Sequence, residues 1–187
     1  LYVTVDVNSQ VKEGDNAIGV ILSNGRCCAP RIKVPGLTQN YGSPRLLLQL
    51  HIEVEDGTKK IIESDKQWKV TTDGPIRSSN EYDGEEYDAR LEMPGWSVAG
   101  FNDKDWKPVQ ILESPGGKLE SQMIEPMRLT EIIKPKRILN PKPGIWMVDF
   151  GQAFYGSVGL KVTGPSGTAL KLPTSFNGLP HGTFKSQ

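Results

Sequence analysis

The stretch Leu46-Leu47-Leu48-Gln49-Leu50-His51-Ile52-Glu53-Val54-Glu55, followed by Asp56-Gly57, decides the fold class. Side chains alternate faces along a strand. One face therefore reads Leu46, Leu48, Leu50, Ile52 and Val54, and the other Leu47, Gln49, His51, Glu53 and Glu55. That is a strand with one buried side. Asp-Gly is a preferred pair for a tight hairpin turn. It predicts a return strand over 59–63, and a third strand then carries Trp68, Val70 and Thr72.

The same patterning continues in both directions. Glu13-Gly14-Asp15-Asn16 makes a turn between 3–7 and the apolar run 17–22. Trp146-Met147-Val148-Asp149-Phe150 and 157–162 read as another strand pair, and Gly164-Pro165-Ser166-Gly167 as a turn into 168–172. The one helical candidate, 118–133, is interrupted by Pro126, and its Leu129-Thr130-Glu131-Ile132-Ile133 end suits a strand. The 20 Gly and 14 Pro recur at short spacing, as in sandwiches with many turns. Runs rich in Pro, Gly and Lys at 114–118 and 135–144 punctuate the chain. The first of them sets the expected domain boundary, giving parts 1–114 and 115–187.

The bulk numbers exclude several classes. The 187 residues suffice for one ordinary domain or two small ones. Lys plus Arg and Asp plus Glu are both 22, so neither a nucleic-acid footprint nor a basic membrane-surface patch is expected. No apolar run approaches the ~20 residues that a membrane helix needs. The chain opens on Leu1-Tyr2-Val3 without an initiator Met, which reads as the middle of a domain, so a targeting segment could stand upstream. Cys27 and Cys28 are adjacent. A disulfide needs Cα atoms roughly 4.4–6.8 Å apart with converging Cβ vectors, so two thiols or one intermolecular bond are expected, and the compartment stays undecided.

Chemistry concentrates in Asn80-Glu81-Tyr82-Asp83-Gly84-Glu85-Glu86-Tyr87-Asp88-Ala89-Arg90. Carboxylates and amides suit calcium, with Asn80, Asp83 and Glu85 as candidate ligands, although the spacing is not that of an EF-hand. The oxygens of Asn80, Glu81 and Asp83 can accept hydrogen bonds from sugar hydroxyls, and Tyr82 or Trp96 can supply a stacking face. The alternative is a solvated acidic turn whose tyrosines pack inward, with Arg90 paired to a carboxylate. A glycosidase pair stands roughly 5–9.5 Å apart across a bound sugar, usually on separate elements, so acids on one loop make no catalytic pair. Trp96, Phe101 and Trp106 can form a platform for sugar rings; the alternative is that Phe101 and Trp106 plug the open end of a sandwich, and the plug is favoured because large aromatics are usually well buried. His51 and His181 have no partner at metal-ligand spacing. Neither a phosphate-cradling Gly loop nor a Gly-x-Ser-x-Gly elbow is present.

Several stretches, in order, resemble the bacterial α-L-rhamnosidases of the large multi-domain glycoside hydrolase class. They are Val11-Lys12-Glu13-Gly14-Asp15-Asn16-Ala17-Ile18-Gly19-Val20, Trp68-Lys69-Val70, Tyr82-Asp83-Gly84-Glu85-Glu86-Tyr87-Asp88-Ala89-Arg90, Phe101-Asn102-Asp103-Lys104-Asp105-Trp106 and Asp149-Phe150-Gly151-Gln152, with shorter matches at 48–58 and 164–168. The resemblance implies an all-β chain: an antiparallel, jelly-roll-like β-sandwich of the carbohydrate-binding-module type, lacking its first strands, followed by the start of a second β-sandwich. The (α/α)6 barrel that holds the family's catalytic acid and base has no counterpart here. In some members the first module binds rhamnose together with calcium, through an Asp-Asn pair just before the Tyr-Asp-Gly-Glu string. Asn80 and Glu81 stand at those positions here. Ser23-Asn24-Gly25-Arg26-Cys27-Cys28 replaces an aromatic-containing segment. The resemblance thus implies the non-catalytic N-terminal region of an enzyme that hydrolyses terminal α-L-rhamnosides. Its partners would be rhamnose-containing carbohydrate and the remaining domains of that enzyme. The alternative is a sandwich that only braces the barrel.

Overall fold

A computed structural model describes residues 1–26, 28, 41–81 and 83–172, and the backbone of 183–185. Tyr82 and His181 lie outside the described residues, as does the thiol expected at Cys27. Among the described residues the chain is all-β. Its ten strands are β1 (Gln49–Glu53), β2 (Lys59–Glu63), β3 (Lys69–Val70), β4 (Ile76–Asn80), β5 (Gly84–Asp88), β6 (Lys107–Pro108), β7 (Arg137–Lys142), β8 (Ile145–Asp149), β9 (Ala169–Lys171) and β10 (Thr183–Lys185). Among the described residues the only helical turn is a 3-10 turn at Ala89–Leu91. The candidate over 118–133 is not helical, because Pro126 cannot continue an α-helix.

The chain divides into two compact units: Leu1–Asp6 with Gly116–Val162, and Val7–Pro115 with Thr163–Gln187. The second holds the decisive hairpin. β1 and β2 pair antiparallel, with Leu50 opposite Ile62 and His51 opposite Ile61. Burial alternates over 46–53: Leu46, Leu48, Leu50 and Ile52 are half-buried, while Leu47, Gln49, His51 and Glu53 are exposed; Val54, expected on the buried face, is exposed because the turn starts there. In the turn, the Gly57 N–H donates to the Val54 carbonyl (2.8 Å) and the Asp56 carboxylate accepts from the Thr58 N–H (2.8 Å). Only Gly57 takes a positive φ, 82°, so the turn is the three-residue type with a left-handed glycine. β3 pairs with β6 antiparallel, and a Lys69–Asp103 ion pair (2.7 Å) lies beside them. The remaining sheet has the order β4-β5-β10-β9, antiparallel except for β5 and β10. The run 17–22 is not a strand.

In the other unit β7 and β8 form an antiparallel hairpin. The partner of 146–150 is thus the Arg137–Lys142 strand rather than 157–162, because Gly144 (φ 78°) turns the chain straight back. Asp149 accepts from the Gly151 N–H and from Arg137 Nε, both at 2.7 Å. These bonds, the backbone one first, hold its carboxyl below the usual range. Segment 3–7 forms no strand; Tyr2 alone bridges Ser121.

Candidate functional site

The acidic stretch folds as a hairpin, not as an open loop. β4 and β5 pair with Ser78 opposite Glu86, Ser79 opposite Glu85 and Asn80 opposite Gly84. Gly84 (φ 83°) supplies the left-handed backbone that lets the chain reverse. The tip closes on itself: Asn80 Oδ1 accepts the Asp83 N–H at 2.7 Å, and Asn80 Nδ2 lies 3.5 Å from Asp83 Oδ2.

A second segment runs along this tip. Gly25 bridges Asn80 in parallel fashion, the Asn24 N–H donates to the Ser79 carbonyl (3.2 Å), and the Glu81 N–H donates to the Gly25 carbonyl (3.1 Å). That path sets Arg26 Nε 3.7 Å from Glu81 Oε2. Both side chains are largely exposed, so the pair contributes little stability. It does neutralise the charge that Glu81 brings to the tip. Cys28 follows as a buried thiol.

At the base of β5, Asp88 is buried and accepts from the Arg90 N–H (3.2 Å), Nε (2.8 Å) and Nη2 (2.6 Å). It caps the 3-10 turn and holds a bidentate ion pair at once. The Tyr87 hydroxyl donates to Glu92 Oε1 at 2.6 Å. Burial, then that bond and the nearby Glu92 and Glu85 charges, push its pKa up to about 12.

The structure separates the residues expected to act together. Asn80 and Asp83 meet at the tip. Glu85 sits one residue further along β5, and successive strand residues alternate, so it lies on the opposite face from Gly84 and Asn80. Among the described residues no three His, Cys, Asp or Glu side chains are gathered to hold an ion. Trp96 packs its six-membered ring directly on the Gly19 backbone, where an added Cβ would overlap ring atoms Cζ3, Cη2 and Cε3. Phe101 and Trp106 pack edge to face at 5.8 Å, and both are half-buried. Arg26 had no local signal in the sequence, since only the fold brings it to Glu81. The Asn80–Asp83 contact did have one, an Asn three residues ahead of an Asp-Gly.

Residues 1–131 match the family described as the alpha-L-rhamnosidase N-terminal domain. The chain belongs to this family. An α-L-rhamnosidase of Streptomyces avermitilis is 36% identical over 184 residues, covering 98% of this chain and 18% of the relative. One of Formosa agariphila is 37% identical over 183 residues, covering 97% and 20%. The chain thus spans about a fifth of the length of these curated relatives. Among solved structures, the S. avermitilis α-L-rhamnosidase complexed with L-rhamnose is similar with TM-score 0.70 and 31% identity, over 81% of this chain and 16% of that one. The native Aspergillus terreus α-L-rhamnosidase is similar with TM-score 0.67 and 35% identity, over 79% and 19%. The strand content and these likenesses together give the rhamnosidase N-terminal domain the all-β, sandwich-like fold class expected of it.

Proposed function

We propose that this chain is the non-catalytic N-terminal part of an α-L-rhamnosidase acting on rhamnose-containing carbohydrate, and that it serves that enzyme by packing against the rest of it. The observation that carries the reading is the burial pattern. Among the described residues only Cys28 and Asp88 are buried, whereas Met123, Met127 and Tyr155 are more than nine-tenths exposed. A domain of this size that folds alone buries about 70% of its chain surface. Large apolar side chains left in water in such number mark a surface that another part of a protein covers. The polar groups at the hairpin tip, by contrast, are engaged with one another: Asn80 with Asp83, and Glu81 with Arg26. A sugar hydroxyl would have to replace those contacts for a net gain of only about 0.5–1.5 kcal/mol each.

The test is a chimera in which this chain replaces the matching fifth of the S. avermitilis relative. The chimera is expected to hydrolyse a chromogenic rhamnoside and the isolated chain to leave it intact. Rhamnose titrated into the isolated chain is expected to leave the amide resonances of Asn80, Glu81 and Asp83 unmoved. Hydrolysis by the isolated chain would refute the non-catalytic reading. Saturable shifts at the hairpin tip would replace the bracing role with a sugar-binding one.

A further inference from the structure

Residues 125–135 run without turn or bend, and among the described residues they make no hydrogen bond. The chain is held on either side: the Gln122 N–H donates to the Tyr2 carbonyl (2.9 Å) and the Lys136 N–H to the Asp149 carbonyl (2.8 Å). Between these anchors lies Met127-Arg128-Leu129-Thr130-Glu131-Ile132-Ile133, bounded by Pro126 and Pro135. Met127, Leu129 and Ile132 are 95%, 81% and 75% exposed. A straight, apolar segment with its backbone donors and acceptors unused has the form of a strand whose neighbour is missing, and such an edge pairs readily with another chain segment.

Resting on the proposed function, we infer that residues 127–133 are a strand-acceptor edge, and that its occupant is a β-strand from the rest of the rhamnosidase polypeptide. A second copy of this chain is a poor occupant of a closed two-fold pair on charge grounds. A two-fold antiparallel pair sets one residue opposite itself. Centring on Arg128 or Glu131 opposes like charges. Centring on Leu129 sets Glu131 against Met127, and centring on Thr130 sets Glu131 against Leu129. Directly opposed side chains are the unit of sheet stabilisation, so each of these registers is unfavourable. The fitting strand carries apolar residues at two-residue spacing opposite Met127 and Leu129 on one face and opposite Ile132 on the other. It sets an acid against Arg128 and a base against Glu131. The curated relatives, about five times the length of this chain, have ample polypeptide to supply it.

Amide hydrogen exchange on the isolated chain and on the chimera described above tests this. In the isolated chain the amides of 127–133 are expected to exchange at unfolded-chain rates, and in the active chimera at least about a hundredfold more slowly. Leu129→Asp in the chimera is expected to return them to fast exchange. Fast exchange over 127–133 in a chimera that is active overturns the strand assignment while leaving the proposed function standing. A chimera with no activity and no new protection anywhere overturns both. Slow exchange in the isolated chain together with a doubled solution mass makes the occupant a second copy and overturns the inference.

Discussion

Gly19 and Trp96 offer a prediction whose sign changes with context. The Trp96 ring lies so close to Gly19 that an added Cβ would approach three ring atoms to less than 3.0 Å. Gly19→Ala must therefore displace either the indole or the 17–22 segment, and overpacking of this kind costs about 1–3 kcal/mol. Steric conflict is the sole objection to alanine here, because Gly19 does not have a positive φ. Where the backbone is compatible, Gly→Ala stabilises by about 0.4–1 kcal/mol through the unfolded state. With the ring removed by Trp96→Ala, the same Gly19→Ala change should become stabilising by that amount. The double-mutant cycle then yields a coupling of about 1.5 kcal/mol or more. Urea unfolding followed by the fluorescence of Trp68 and Trp106 measures all four proteins. Equal effects of Gly19→Ala in both backgrounds would refute the close packing and release Trp96 for a ligand.

Leu50→Asp places a carboxylate on the half-buried face opposite Ile62, and should lower stability by about 2 kcal/mol or more in the same urea assay. One tyrosine should ionise only near pH 12 in ultraviolet titration, and Tyr87→Phe should remove that step. Because the folded pKa lies above the unfolded value of about 10, Tyr87 also makes stability fall as pH rises from about 10 to 12. Asp56 works at the other end of the scale. The Thr58 side chain, then its backbone N–H, hold its carboxyl below the usual value. Its stabilising contribution is present above a pH of about 4 and is lost as pH falls through the folded pKa, so Asp56→Ala should flatten that part of the acid-unfolding curve.

The β1–β2 hairpin was legible because two local signals agreed: alternation from Leu46 onwards and Asp56-Gly57 at the end of it. β8 was legible as a strand, but its neighbour was not. Pro143-Gly144 resembled linker punctuation, and the Asn140-Pro141 within β7 disguised a strand that carries a register shift between Leu139 and Lys142. The run 17–22 is apolar but unpaired, with Ile18, Val20, Ile21 and Leu22 exposed and Trp96 packed on Gly19, and composition cannot tell such a run from a strand. The acidic stretch misled most, since β5 places five residues, three of them acids, in a strand. The clue was the spacing of Glu85 and Tyr87 against Glu86 and Asp88. The pairing of Arg90 with a carboxylate was legible, because Asp88 stands two residues before it. The fold family was legible from strings such as Tyr-Asp-Gly-Glu.

β4 carries a register shift between Ile76 and Ser78, so Arg77 is an extra residue against β5. Its guanidinium folds back onto the Thr72 and Gly74 carbonyls, at 2.9 and 3.0 Å, which fastens the start of the preceding loop to the irregularity, while the Pro75 carbonyl accepts the Asp88 N–H (2.7 Å) and ties the loop's end to β5. The bulge therefore acts as slack in the chain. A residue gained or lost between Thr71 and Gly74, ahead of the paired Pro75 and Ile76, should be absorbed there, while Ser78, Ser79 and Asn80 keep their partners and the hairpin tip keeps its shape. The loop that leads into the hairpin is thus the part whose length the tip does not feel.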